Sequence, residues 1–202
     1  MVKQISKTLA LFLIFALLSS MQNNQDVIYK KNNVFEVQYS QRLEEPLWLI
    51  YKSTNRPTNV NRDSMDFYAE KDVYTSDGAD YKNNVWDKGH LAPAATFSDN
   101  MENLKQTFSY LNCALQHQDL NRGEWRLLEE QERLWDDKEN LTVKIELGFD
   151  EKSVVLGTGA TVPSFFVKHI YFENNKTWKC FKFNNEKPIK KWTEHQINCL
   201  HN

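Results

Sequence analysis

Four consecutive residues, Asp87-Lys88-Gly89-His90, put an acid, a cation, a flexible turn and a base within one short segment. Histidine titrates near neutral pH, so it can take a proton from water under ordinary conditions. Gly89 lets the backbone approach a ligand closely. Asp87 can orient the imidazole or pin the turn. These parts suit hydrolysis of a phosphate diester. A base activates water, a hard cation stabilises charge on the phosphate and the leaving oxygen, and positive side chains hold the phosphate in line. Alone the tetrapeptide is weak evidence, because a structural histidine beside a turn is more common than a catalytic one.

A second group lies downstream, in Asn121 to Asp137 (NRGEWRLLEEQERLWDD). Apolar residues recur there at spacings of three, four and seven, which predicts a helix, with Asp119 as a possible cap. Asn121 and Glu129 are eight apart, a little over two turns, so they share roughly one side and can face one hydrated cation. A lone amide is too weak for an all-protein cage. It suffices if substrate oxygens and water complete the shell. The plain alternatives are an N-terminal helix residue for Asn121 and a solvated pair for Glu129 and Arg133.

The blocks DKGHLAPAATF and SYLNCALQHQDLNRGEWRLLEEQER resemble the DNA/RNA non-specific endonuclease family, the ββα-metal nucleases. Asp87, Gly89, His90 and Pro93 match the first family block. Asn112 and Gln116 match the second; Leu120, Asn121, Trp125, Leu128 and Glu129 match the third. Outlying matches extend the resemblance from about Tyr39 to about Phe183. It implies His90 as general base, Asn121 as the protein ligand of magnesium, and Glu129 as the holder of water in the cation's hydration shell. It further implies that Asn112 fixes the site near His90, and that Arg62, Lys88 and Arg133 contact phosphate. Manganese or calcium stays open as the working ion. Two positions depart from the pattern. Lys88 stands for an arginine and loses its planar two-pronged grip. Leu115 replaces a proline, which suggests a different local turn.

The implied activity is magnesium-dependent cleavage of DNA, RNA or both. A second reading is a catalytically weak nucleic-acid-binding protein on a nuclease scaffold, motivated by Lys88 and the acidic charge. A third is action on another phosphate ester. A zinc site from Cys113, His117 and His90 lacks a completing pair, and a cysteine hydrolase lacks a supporting motif. Neither a nucleophile-elbow serine motif nor a phosphate-binding P-loop is present.

These groups need a scaffold, and 202 residues suffice for one domain with a real core. Aromatics make up 13%, which argues against disorder. Half-buried or buried strands are expected at Asn33–Ser40, Leu47–Lys52, Ser153–Leu156 and Phe165–Phe172. Loops are expected at Asn55–Ser64 and Thr75–Asn84. The expected fold class is α+β: a largely antiparallel central sheet, a ββα-metal finger and one long active-site helix.

Residues 1–20 read as a signal peptide, with Lys3 and Lys7 before an apolar run from Leu9 to Leu18, leaving 21–202 as a single endonuclease domain. Secretion follows, with no stable membrane association after cleavage and no indication of oligomeric state. Removal takes the formal charge from −2 to −4, so long-range steering toward polyphosphate is weak and local cations must do the attracting. Of the three cysteines, Cys180 and Cys199 are expected to pair in an oxidising compartment, with Cys113 a buried free thiol.

Overall fold

Alternating side chains set the main layer. In Leu141–Gly148, Leu141, Val143, Ile145 and Leu147 are buried, while Thr142, Lys144 and Glu146 point the other way. The computed structural model describes residues 26–63 and 65–199, so the leader expected at 1–20 lies outside the described residues. Strands β1 (Val27–Lys31), β2 (Phe35–Ser40), β3 (Glu45–Ser53), β4 (Trp86–His90), β5 (Cys113–His117), β6 (Leu141–Gly148), β7 (Val154–Val155), β8 (Thr161–Val162), β9 (Phe165–Phe172), β10 (Thr177–Asn184) and β11 (Gln196–Ile197) follow one another along the chain. Seven of them form one antiparallel sheet in the order β1-β2-β3-β6-β9-β10-β11. The expected antiparallel α+β class is what the chain adopts.

Strands β4 and β5 form a separate antiparallel ribbon. The chain then runs through α2 (Gln118–Leu120), a wide turn (Asn121–Trp125) and α3 (Arg126–Asp136), giving β, β and helix in succession. A shorter helix, α1 (Met101–Thr107), was not expected. Asn100 caps it by accepting from the Asn103 N–H at 2.9 Å.

Three local expectations need correction. The segment Asp87–His90 is strand rather than turn, because it pairs residue for residue with β5. Asn121 does not open the long helix. Helical backbone begins at Gln118, where the cap is His117 rather than Asp119: its Nδ1 accepts from the Asp119 N–H at 3.2 Å. Asn121 has interior helical angles, φ −56° and ψ −50°. Two residues on, Gly123 leaves the helical region (φ −104°, ψ −112°) and the turn widens to π geometry. The strand expected at Ser153–Leu156 shrinks to Val154–Val155, exposed and paired with β8 outside the main sheet. The expected disulfide between Cys180 and Cys199 is present, and Cys113 is a buried free thiol.

Helix α3 docks on the sheet through Trp125 and Leu128, both wholly buried, and through polar groups. Lys168 on β9 and Glu132 on α3 form an ion pair of 2.7 Å with both side chains sealed from solvent. The Lys168 ammonium also lies 4.1 Å from the centre of the Trp125 ring. The Tyr51 hydroxyl donates to the other Glu132 oxygen, and the Ser53 hydroxyl donates to Asp136 one turn further on. Breaking a buried pair by removing one partner typically costs about 3–5 kcal/mol, because a charge is left without compensation. Lys168→Met is therefore expected to lower unfolding free energy in urea by about that amount. The double variant Lys168→Met with Glu132→Leu should lose less than the single one.

Candidate active site

A cavity of about 710 Å³ opens between α3, β4 and the loop that precedes residue 63. Its lining includes Arg62, Lys88, His90, Asn121, Glu129 and Arg133, six of the seven residues singled out from the sequence. The seventh, Asn112, is fully buried and does not line it. Instead, the Asn112 amide oxygen accepts from the Ala92 N–H at 2.7 Å, while its nitrogen donates to the carbonyls of Ala92 and Thr107. Leu91 N–H donates to the Asn112 carbonyl. Asn112 therefore holds the backbone that follows His90 rather than meeting the cavity itself.

Strand alternation puts Lys88 and His90 on one side of β4 and Asp87 and Gly89 on the other. Gly89 packs against the side of Gln116: an added Cβ would lie 2.5 Å from its Oε1 and 2.7 Å from its Cβ. The glycine thus answers to close packing within the ribbon rather than to a ligand. The leucine at position 115 also finds its reason here. Its N–H donates to Glu45 Oε1 at 2.8 Å, a bond that a proline cannot make. Full burial pushes the Glu45 carboxyl well above the usual carboxylate range.

Asp87 ties β4 to the start of the helix. Its carboxylate accepts from Asn121 Nδ2 at 3.0 Å and from Arg122 Nε at 2.7 Å, with Arg122 Nη2 on the other oxygen. With its nitrogen so engaged, Asn121 has Oδ1 left over, and no described residue donates to it. His90 packs between Phe67 (4.8 Å between ring centres) and Phe108 (4.9 Å), and its buried Nε2 has no hydrogen-bond partner among the described residues. Desolvation in that setting, with some help from Arg62, lowers its pKa to about 3. Burial raises Glu129 to about 7, the Lys168 and Arg133 charges offsetting part of the effect.

Lys88 is held in an aromatic box. Its ammonium lies 5.3 Å from the Phe67 ring centre, 5.4 Å from Tyr110 and 5.9 Å from Tyr81. Asp66, itself almost fully exposed, is 3.7 Å away. The loop carrying Arg62 is tied to Ser98, whose carbonyl accepts from the Asn59 and Val60 N–H groups, and to Asp99, whose carbonyl accepts from Asn59 Nδ2. The helix pair expected between Glu129 and Arg133 does not form; Arg126 and Glu130 make the ion pair instead. Neither Arg62 nor Arg133 makes an ion pair with a carboxylate among the described residues, although the Arg133 charge acts on Glu129 and Asp136. Arg122 and Arg126 also line the cavity and were missed. Their signal was faint, since each has an acid nearby in sequence and reads as a solvated charge.

The described residues contain no group of three or more His, Cys, Asp or Glu side chains able to hold a metal ion. The zinc reading therefore finds no support. A hard cation bound by one amide oxygen, with water and substrate oxygens completing its shell, is compatible with the donors present.

Known nucleases are similar to this chain. Bovine endonuclease G, a mitochondrial protein, is 32% identical over 102 residues, covering 47% of this chain and 33% of the bovine one. The mitochondrial nuclease EXOG of Danio rerio is 29% identical over 96 residues, 45% of this chain and 28% of that protein. The matched stretch thus spans about a third of either relative. A crystal structure of an EndoG/EndoGI complex, described as showing the mechanism of EndoG inhibition, superposes with a TM-score of 0.75 at 21% identity, covering 84% of this chain and 80% of that one. The sequence model of DNA/RNA non-specific endonucleases matches residues 17–201. That match takes in nearly the whole chain, which belongs to the DNA/RNA non-specific endonuclease family.

Proposed function

We propose that this chain is a magnesium-dependent endonuclease that hydrolyses phosphodiester bonds in DNA, RNA or both with little sequence specificity. The observation that carries the reading is the meeting of His90, Asn121 and Glu129 with Arg62, Lys88 and Arg133 around one cavity. His90 accepts a proton from the attacking water. Burial keeps the ring neutral, so a lone pair is available, but the same low pKa makes it a weak base until a charge arrives beside it. The negative charge of an arriving phosphate raises its basicity. Arg62 and Arg133, neither in an ion pair with a carboxylate among the described residues, bind the phosphate together with Lys88. Asn121 Oδ1 would hold the cation, and Glu129 would hold its hydration water. When bound, magnesium supplies electrostatic stabilisation of the charge that develops on the phosphate and the leaving oxygen. Asp87 keeps the Asn121 amide from rotating, and Asn112 fixes the backbone that follows His90 at the end of β4.

The apolar run at Leu9–Leu18 supports a leader that is removed, with residues 21–202 as the working domain and secretion as its destination. The mitochondrial relatives favour a second destination. N-terminal sequencing of the protein from its native source separates them: a start near residue 21 supports the first.

The decisive assay incubates the purified mature chain with circular DNA and with RNA, in magnesium and then with chelator. Cleavage in magnesium and none after chelation is expected; binding without turnover would leave only a binding protein. His90→Ala is expected to cost on the order of 10²–10⁴-fold in rate while DNA affinity changes little. Full turnover by that variant would remove the mechanism. Asn121→Ala should shift the magnesium titration and reduce the rate together, and an unchanged titration would refute its ligand role.

The buried imidazole also sets a stability test. Its folded pKa, about 3, lies below the ordinary value of 6.5, so the unfolded chain binds a proton that the folded chain refuses. Stability from this group is complete above pH 6.5 and is lost as pH falls toward 3. Between pH 6.5 and 4.5 the loss amounts to at most about 2 kcal/mol. His90→Gln should lose correspondingly less than the parent over that interval in urea unfolding. Equal losses would show that His90 is charged in the folded protein.

A further inference from the structure

A second cluster of reactive groups lies on the sheet face away from α3. On β9, Phe166, Lys168 and Ile170 are buried beneath the helix, so His169 faces the opposite side. There, His169 stands directly across from Cys180 on β10 and from Lys144 on β6. Its Nε2 lies 3.1 Å from Glu146 Oε2, and its Nδ1 lies 3.3 Å from Cys180 Sγ. Lys144 pairs with the other Glu146 oxygen. Cys180 is fully buried and bonded to Cys199, which is only partly buried. An acid, an imidazole and a sulfur thus form a line ending on a disulfide.

We propose that Cys180–Cys199 is a thiol–disulfide exchange site for a low-molecular-weight thiol such as glutathione, with His169 as the acid that serves the leaving sulfur. The inference is independent of the nuclease reading. The incoming thiolate attacks the sulfur of Cys199, the less buried of the two residues, and forms a mixed disulfide with it. The Cys180–Cys199 bond breaks, and its electron pair goes to Cys180 Sγ. That sulfur takes the proton of His169 Nδ1 or stays as a thiolate beside the imidazolium, which Glu146 holds in place. A second thiol then attacks the mixed disulfide, leaving Cys199 as a thiol and releasing the oxidised thiol dimer. Two thiols are oxidised and one protein disulfide is reduced, by two electrons and two protons. Attack at Cys199 follows from its lesser burial. Release of Cys180 follows from its neighbour, since a stabilised thiolate leaves faster.

The test uses the oxidised full chain, with reduction by glutathione followed by alkylation and peptide mass analysis. Peptide mapping separates Cys113 from the pair. The trapped mixed disulfide is expected on Cys199. In His169→Asn the second-order rate should fall about tenfold, with the glutathione equilibrium moving toward the disulfide. Glu146→Gln should fall between the two, and the urea midpoint of each oxidised variant should match the parent, which separates an acid from a packing residue. Glutathione found on Cys180, or equal rates in parent and variants, would overturn the assignment. If His169→Asn does not fold, Glu146→Gln carries the same comparison, and a parental rate in it overturns the proposal equally.

Discussion

Everything in the cleft depends on how one helix is held against one sheet. Helix α3 carries Glu129, Glu130 and Arg133 on its cleft side, and on its other side it must bury Glu132 and Asp136. A carboxylate cannot enter a protein interior unpaired. Lys168, Tyr51 and Ser53 rise from β9 and β3 to meet them. Apolar packing alone would let the helix rotate or slide by small amounts. Directional bonds at two successive turns do not, since a shift would strand a buried charge. The ion pair is thus better understood as fixing the angle of the helix than as adding to its stability. Trp125 joins the two roles, lying under the Lys168 ammonium at the end of the wide turn that begins with Asn121.

Much of this was legible in the sequence, for identifiable reasons. Asn121 and Glu129 could be set on one side because helical spacing is a local property, whereas His90 joined them only through the resemblance to the nuclease family. The strand at Asn33–Ser40 could be anticipated because its apolar and polar residues alternate, whereas the alternation of Phe165–Phe172 shows only in the fold, where Lys168 is one of the buried residues. What escaped depends on contacts distant in sequence. Asp87–His90 has no strand pattern of its own, since its conformation comes from pairing with Cys113–His117. The use of Gly89 is visible only once Gln116 lies across from it. Leu115 looked like a departure in its turn, whereas its N–H serves Glu45, seventy residues earlier. Capping by His117 escaped because Asp119 is the commoner cap type, and the widening at Gly123 carries no sequence signal beyond the glycine itself.

The electrostatics of the cleft are more local than the chain's formal charge of −2 suggests. Arg122 is bound to Asp87 and Arg126 to Glu130, so these two charges are largely spent within the protein. Arg62 and Arg133 are not. Lys88 is half withdrawn: burial works against its charge, but the Tyr110 hydroxyl and Asp66 hold its pKa above the ordinary lysine value. A lysine surrounded by aromatic rings has a compact charge and a fixed stem. An arginine in the same box would have to lay a flat guanidinium against three rings at once. The local aromatic packing therefore gives the lysine at this position a physical setting of its own.

The lining of the cleft has one further consequence. It offers charges, amides and small apolar groups, and among the described residues no phenylalanine, tyrosine or tryptophan on which a nucleobase could stack. Under the proposed reading such a groove grips the sugar-phosphate thread chiefly through its cations, so its hold on the thread slackens as added salt screens them.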